Sequence, residues 1–170
     1  MYLLFGGVIV TLFIWIDGKE RNLRFSAAHW VEGAGKCERL HGHDYYVSVR
    51  VYGPVNKDGT VIDFRVLKDA IKRVIEDLDH KVLISEKRVI KEENGLLYIT
   101  KDTKQIVLPK EDVYLLPLDI ITAEELAKYI ANRIYEELKE EFRARRIYQI
   151  DVCVDEGGGQ SAWHIKKLFA

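Results

Sequence analysis

Cys37-Glu38-Arg39-Leu40-His41-Gly42-His43 runs directly into Asp44-Tyr45-Tyr46-Val47-Ser48-Val49-Arg50-Val51-Tyr52, and this stretch decides the fold. Strand side chains alternate between faces, so His41, His43, Tyr45, Val47, Val49 and Val51 share one side. Gly42, Asp44, Tyr46, Ser48 and Arg50 share the other. The spacing predicts a strand whose apolar side enters a core and opens on two imidazoles, which need partners there. A third histidine, His29, closes another strand-like segment, Phe25-Ser26-Ala27-Ala28-His29. Three neutral imidazoles with a fourth position open make a catalytic zinc site. His-x-His alone also describes two half-exposed strand-end histidines; His29 and the nearby Cys37 favour a metal.

At 170 residues the chain, 1–170, is expected to form one domain with a sizeable core. Lys+Arg 26 against Asp+Glu 27 leaves a net charge of −1, which asks for neither nucleic acid nor an anionic membrane. The two cysteines, Cys37 and Cys153, belong to no Cys-rich framework. Free thiols in a reducing compartment, the cytoplasm, are therefore expected over a disulfide. Residues 1–16 are almost wholly apolar, but they are short for a membrane span, carry Gly6, Gly7 and Thr11, and lack a basic leader. They read instead as strand: 8–16, a turn at Asp17-Gly18, then 21–29, together a β-hairpin.

Asp63 is placed to cap a helix whose apolar face is Leu67, Ile71, Val74, Ile75 and Leu78. Thr122-Ala123-Glu124-Glu125 has the form of a capping box, followed by the stripe Leu126, Ile130, Ile134 and Leu138. Between them, 85–118 reads as an inserted hairpin turning at Asn94-Gly95, altering a rim rather than the chemistry. Residues 147–154 form the final strand. The order predicts an α+β fold, an antiparallel sheet with helices on one face.

Cys37 lies just before His41, where a divalent ion and His80 would both favour its thiolate. A small buried filler is the bland alternative; the glycine-rich loop before it argues for exposure. Asp79-His80 is either an imidazole with its orienting carboxylate or a cation at a helix end. Adjacent residues cannot both point inward on regular backbone, so a local break is expected. Glu156, before three glycines, reads from composition alone as a solvated turn residue.

Taken together these pieces resemble the 6-pyruvoyl-tetrahydropterin synthase / 6-carboxy-tetrahydropterin synthase family. Phe25 to His29 and Cys37 to Tyr45 carry the signature, and Val61-Ile62-Asp63-Phe64, Leu78-Asp79-His80, Thr122-Ala123-Glu124 and Glu156 follow in order. The resemblance covers about 25–163. It implies the tunnelling fold: two helices on a four-stranded antiparallel sheet, subunits joined edge to edge, commonly a homohexamer with sites at subunit contacts. It also implies Zn²⁺ on His29, His41 and His43, and Cys37 as the base acting on the substrate side chain. His80 would shuttle the proton with Asp79 holding its tautomer.

Glu156 would anchor the ring of a reduced pterin through two parallel N–H bonds, with Thr122 touching it. Three outcomes compete: 6-carboxy-5,6,7,8-tetrahydropterin formation (queuosine biosynthesis), 6-pyruvoyl-tetrahydropterin formation (tetrahydrobiopterin biosynthesis), and retro-aldol cleavage of dihydroneopterin. Members that perform the last resemble Glu-x-x-His-Gly-His without the cysteine. This chain carries both Cys37 and Glu38, so two bases are permitted at one site, although strand alternation would send them opposite ways. The rivals from other classes are a non-catalytic pterin- or purine-binding protein with a structural zinc, and a membrane module anchored by 1–16.

Overall fold

The computed structural model describes residues 4–5, 8–9, 12–101 and 103–168, so the expectation of continuous strand over 8–16 falls partly outside the described residues. The strands are β1 (Leu4–Phe5), β2 (Val8–Ile9), β3 (Phe13–Ile16), β4 (Arg24–His29), β5 (His41–Tyr52), β6 (Lys81–Ser85), β7 (Val89–Glu93), β8 (Leu96–Lys101), β9 (Lys104–Pro109), β10 (Val113–Leu116), β11 (Gln149–Asp155) and β12 (Ser161–Lys167). The helices are α1 (Phe64–Glu76) and α2 (Ala123–Ala144).

β5 is the spine. The predicted alternation holds: Tyr45, Val47, Val49 and Val51 are fully buried, while Tyr46, Ser48, Arg50 and Tyr52 on the opposite face are only partly covered. The buried row packs with Leu67, Ile71 and Val74 of α1 and Leu126, Ile130 and Ile134 of α2 in one core. Both helices begin on side-chain caps, Asp63 accepting from the Arg65 N–H and Thr122 from the Glu125 N–H. Asp63→Ala is expected to cost about 1 kcal/mol of stability, read as a lower denaturant midpoint with unchanged slope.

The sheet is larger than the four antiparallel strands expected. It has seven, in the order β10-β6-β4-β5-β11-β12 with β3 also on β5, and the β4–β6 and β6–β10 pairs are parallel. The strand ending near residue 154 is not the last, because β12 returns antiparallel beside β11. Nor does the predicted N-terminal hairpin form. β3 pairs with Val49–Tyr52 and β4 with His41–Tyr46, so both run the same way along one edge of β5. The Asp17-Gly18 turn opens a loop interrupting that edge. Gly18 is required there: a Cβ would lie 2.5 Å from the Val47 carbonyl oxygen, and its N–H donates to Ser48 Oγ at 2.9 Å.

The segment read from sequence as an inserted hairpin folds as a separate three-stranded antiparallel sheet, β7-β8-β9. Asn94 and Gly95, at φ 50° and 76°, make its first turn as expected. Val113–Leu116, assigned by sequence to the insertion, belongs to the main sheet as β10. A second small core, Trp30, Ile84, Leu97 and Ile99, fastens the insertion to the segment after His29.

Candidate metal centre and proton-transfer pair

His29 and His41 face each other at the end of the β4–β5 ladder. His43 lies two residues further along β5, and the three rings approach with centroids 4.6, 5.0 and 5.3 Å apart. One ligand nitrogen from each falls within 4.8 Å of the others. His29 is 2 % exposed. Its Nδ1–H donates to the Ile121 carbonyl at 2.8 Å, and the His41 Nδ1–H donates to the Arg39 carbonyl at 2.7 Å. A carbonyl only accepts, so both rings carry their proton on Nδ1 and leave Nε2 as a lone-pair donor. His29 Nε2 is buried without a hydrogen-bond partner. Burial lowers the His29 pKa to about 4; the bond to Ile121 opposes this, and the neighbouring His41 and His43 add to it. An aprotic, oriented imidazole nitrogen with nothing to bind inside a core is what a metal site requires, so the three residues fit a divalent ion.

Behind α1 the backbone breaks as expected. His80 adopts φ 58°, and its N–H donates to the Ser26 carbonyl at 2.7 Å. Asp79 Oδ1 accepts the Ser26 N–H at 2.7 Å, and Asp79 Oδ2 accepts the His80 Nδ1–H at 2.8 Å. Burial alone would raise the Asp79 carboxyl, but the Ser26 N–H and the His80 ring outweigh it and hold the pKa below its usual value. The largely exposed His80 ring is thus oriented with Nε2 free. An open cleft of about 640 Å³ is lined by His43, His80, Ser26, Asp44 and Lys81.

Cys37 and Glu38 are not on a strand. They occupy a 3₁₀ turn, Gly35–Glu38, so the alternation expected to separate them does not apply. Cys37 is exposed, its thiol free, and its carbonyl accepts the Val31 N–H at 2.8 Å. Glu38 accepts the Gly33 N–H at 3.0 Å, which ties the loop to itself. Glu156 follows β11 one step past the Asp155–Tyr46 pair, beside Tyr45. Thr122 caps α2 next to Ile121. Within one chain the structure therefore joins the three histidines, and joins Asp79 to His80. Neither Cys37 nor Glu156 lines the cleft that holds His43 and His80.

Two groups escaped the sequence reading. Ile121, from a distant segment, supplies the carbonyl that fixes the His29 tautomer. Tyr45, counted only as a core residue, lies edge-on to His43 and His29, and its buried hydroxyl has no partner. Burial, with the Glu156 charge adding to it, raises the Tyr45 pKa. Strand parity was the one available signal for Tyr45.

Residues 19–163 match the family model for 6-pyruvoyl tetrahydropterin synthase. The chain belongs to this family. A Methanocaldococcus jannaschii relative, provisionally named a 6-carboxy-5,6,7,8-tetrahydropterin synthase, is 40% identical over 90% of this chain and 96% of its own length. The 6-carboxy-5,6,7,8-tetrahydropterin synthase of Haemophilus influenzae is 32% identical over 68% of this chain and 79% of its own length. The crystal structure of Plasmodium vivax 6-pyruvoyl tetrahydropterin synthase superposes with a TM-score of 0.85 at 30% identity, covering 94% of this chain and 99% of that one. Two further structures of the Plasmodium protein are catalytic-residue mutants in which a glutamate is replaced by alanine or cysteine. The two helices and mixed α+β sheet are thus those of 6-pyruvoyl tetrahydropterin synthases. No helix among the described residues is long and apolar enough to cross a membrane.

Proposed function

We propose that this chain is a zinc-dependent lyase acting on the side chain of a reduced pterin. The favoured reaction converts 7,8-dihydroneopterin triphosphate to 6-carboxy-5,6,7,8-tetrahydropterin, with 6-pyruvoyl-tetrahydropterin as the competing product. The observation that carries this reading is the buried, unpartnered Nε2 of His29 beside two further imidazoles. The names of the 40% and 32% identical relatives favour the carboxy product.

His29, His41 and His43 would hold the zinc, which would supply Lewis-acid polarisation of the side-chain oxygens and so make the neighbouring C–H more acidic. Cys37 takes the proton. His80, its Nδ1–H held by Asp79, presents Nε2 to carry a proton to or from the substrate. Glu156 accepts two N–H bonds from the pyrimidinone edge, and Thr122 lies near the ring.

The sheet face away from the helices supports a homo-oligomer, in this reading a hexamer. Phe13, Trp15, Trp163 and Ile165 are exposed, and Arg50 is held 4.2 Å from the Trp163 ring centroid and 5.5 Å from that of Phe13. Aromatic surface of this extent on one face is interface-like. Light scattering is expected to give six times the 19.7 kDa chain mass. A monomer at micromolar concentration would refute the assembly.

A second reading, retro-aldol cleavage of dihydroneopterin through Glu38, draws on the catalytic glutamate of the Plasmodium protein. Mass spectrometry of products from dihydroneopterin triphosphate and dihydroneopterin, with zinc-loaded and chelated protein, separates the readings. The carboxy product from the triphosphate, lost on chelation, is expected. No product from either substrate with zinc-loaded protein would leave a ring-binding protein.

A further inference from the structure

We propose that Arg88 and Glu32 are positioning residues which, through segment 30–32, fix the turn that carries Cys37. The insertion thereby reaches the chemistry instead of only shaping a rim. Trp30, Val31 and Glu32 follow His29 directly, and the segment is held on the insertion side twice. Trp30 is 7 % exposed and packs with Ile84, Leu97 and Ile99, the last two from β8. Glu32 Oε2 accepts from Arg88 Nη2, on the short 3₁₀ turn Glu86–Arg88 that leads into β7. Between these two anchors, the Val31 N–H donates to the Cys37 carbonyl at 2.8 Å and the Val31 carbonyl accepts the Ala34 N–H. Cys37 in turn donates its N–H to the Ala34 carbonyl at 3.2 Å. The backbone bonds of Cys37 itself therefore return to Val31 and Ala34, while the bond that closes the turn, Arg39 N–H to the Lys36 carbonyl at 3.2 Å, is local.

The ion pair is not an ordinary surface pair. Side-chain exposure is 34% for Arg88 and 23% for Glu32, so solvent screening is reduced. Glu32 Oε1 is buried, and Glu32, Ser85 and Arg88 line a narrow cavity of about 50 Å³ whose wall also includes Trp30 and Ile121. Loss of the guanidinium leaves a half-buried carboxylate without its counter-charge, and the side chain must then turn outward. That movement pulls on Val31 and so on the Cys37 carbonyl. His29 is spared, because its ring is fixed from Ile121.

The catalytic consequence rests on the reading of Cys37 as the base; the mechanical one does not. In Arg88→Ala, amide exchange over 31–39 is expected to quicken about fivefold while exchange in β5 and α2 is unchanged. Its kcat on the triphosphate should fall about tenfold with KM and zinc content preserved, since misplacing a reacting group costs rate and not binding. Arg88→Lys should recover part of both, and the charge swap Glu32→Arg with Arg88→Glu most of both. Unchanged exchange over 31–39 in Arg88→Ala would overturn the proposal, as would a folded swap variant that restores neither property. Should wild-type protein turn over neither pterin, the exchange and swap measurements still decide the brace, separating its failure from that of the proposed reaction.

Discussion

Replacing His29 with alanine is expected to remove metal retention and to lower pterin turnover by at least about 10³-fold. His29 is the buried member of the trio, and its Nδ1–H bond to Ile121 aims the free Nε2 at the shared position. No other described His, Cys, Asp or Glu joins the group, so no substitute ligand stands ready. The variant also loses a buried hydrogen bond, which costs about 1–3 kcal/mol. His43→Ala, at a half-buried position, is the control that keeps the fold while losing the same ligand set. Elemental analysis of purified protein decides the matter: wild-type zinc stoichiometry in His29→Ala would sink the assignment. The metal-free protein has its own signature. The folded pKa of His29, about 4, lies below the ordinary 6.5, so the folded state favours the neutral ring. Its contribution is complete above pH 6.5 and is lost as the pH falls towards about 4. The denaturant midpoint of chelated wild type should drop across that window, and the drop should be smaller in His29→Ala.

The second large effect is a division of labour between neighbours. Cys37→Ala is expected to reduce processing of dihydroneopterin triphosphate by about 10²–10⁴-fold, the usual range for losing a general base. If Glu38 serves as a second base, cleavage of dihydroneopterin survives in that variant. Glu38→Gln, which can still accept the Gly33 N–H, should show the reverse pattern. The 3₁₀ turn makes this division feasible: residues there are not sent to opposite faces as on a strand, and both are at least partly exposed. Loss of both activities in Cys37→Ala, with its fold and zinc intact, removes Glu38 from the chemistry.

The one-dimensional pattern carried much of this. Alternation from His41 onward depends only on strand geometry, so the buried row of β5 and the common face of His41 and His43 were legible from spacing. The helix caps at Asp63 and Thr122 and the Asn94-Gly95 turn were legible for the same reason, since each is decided within a few residues. The break at Asp79-His80 followed from asking two adjacent side chains to act on one site, and the left-handed His80 meets it.

Pairing was not legible, because it is settled by partners far apart in sequence. Asp17-Gly18 has the local chemistry of a hairpin turn, yet β3 and β4 both pair with β5, each on its own stretch of that long strand. β10 reads as insertion until β6 supplies it with a parallel neighbour. By itself the sequence determined which residues carry imidazole, thiol and carboxylate, and which face of the spine they share. Only the tertiary structure decided that Ile121 would set the His29 tautomer, that Ser26 would hold Asp79 and His80 together, and that β8 and Arg88 would hold Trp30 and Glu32. These are contacts between distant segments, and chain packing alone brings such atoms within hydrogen-bonding distance.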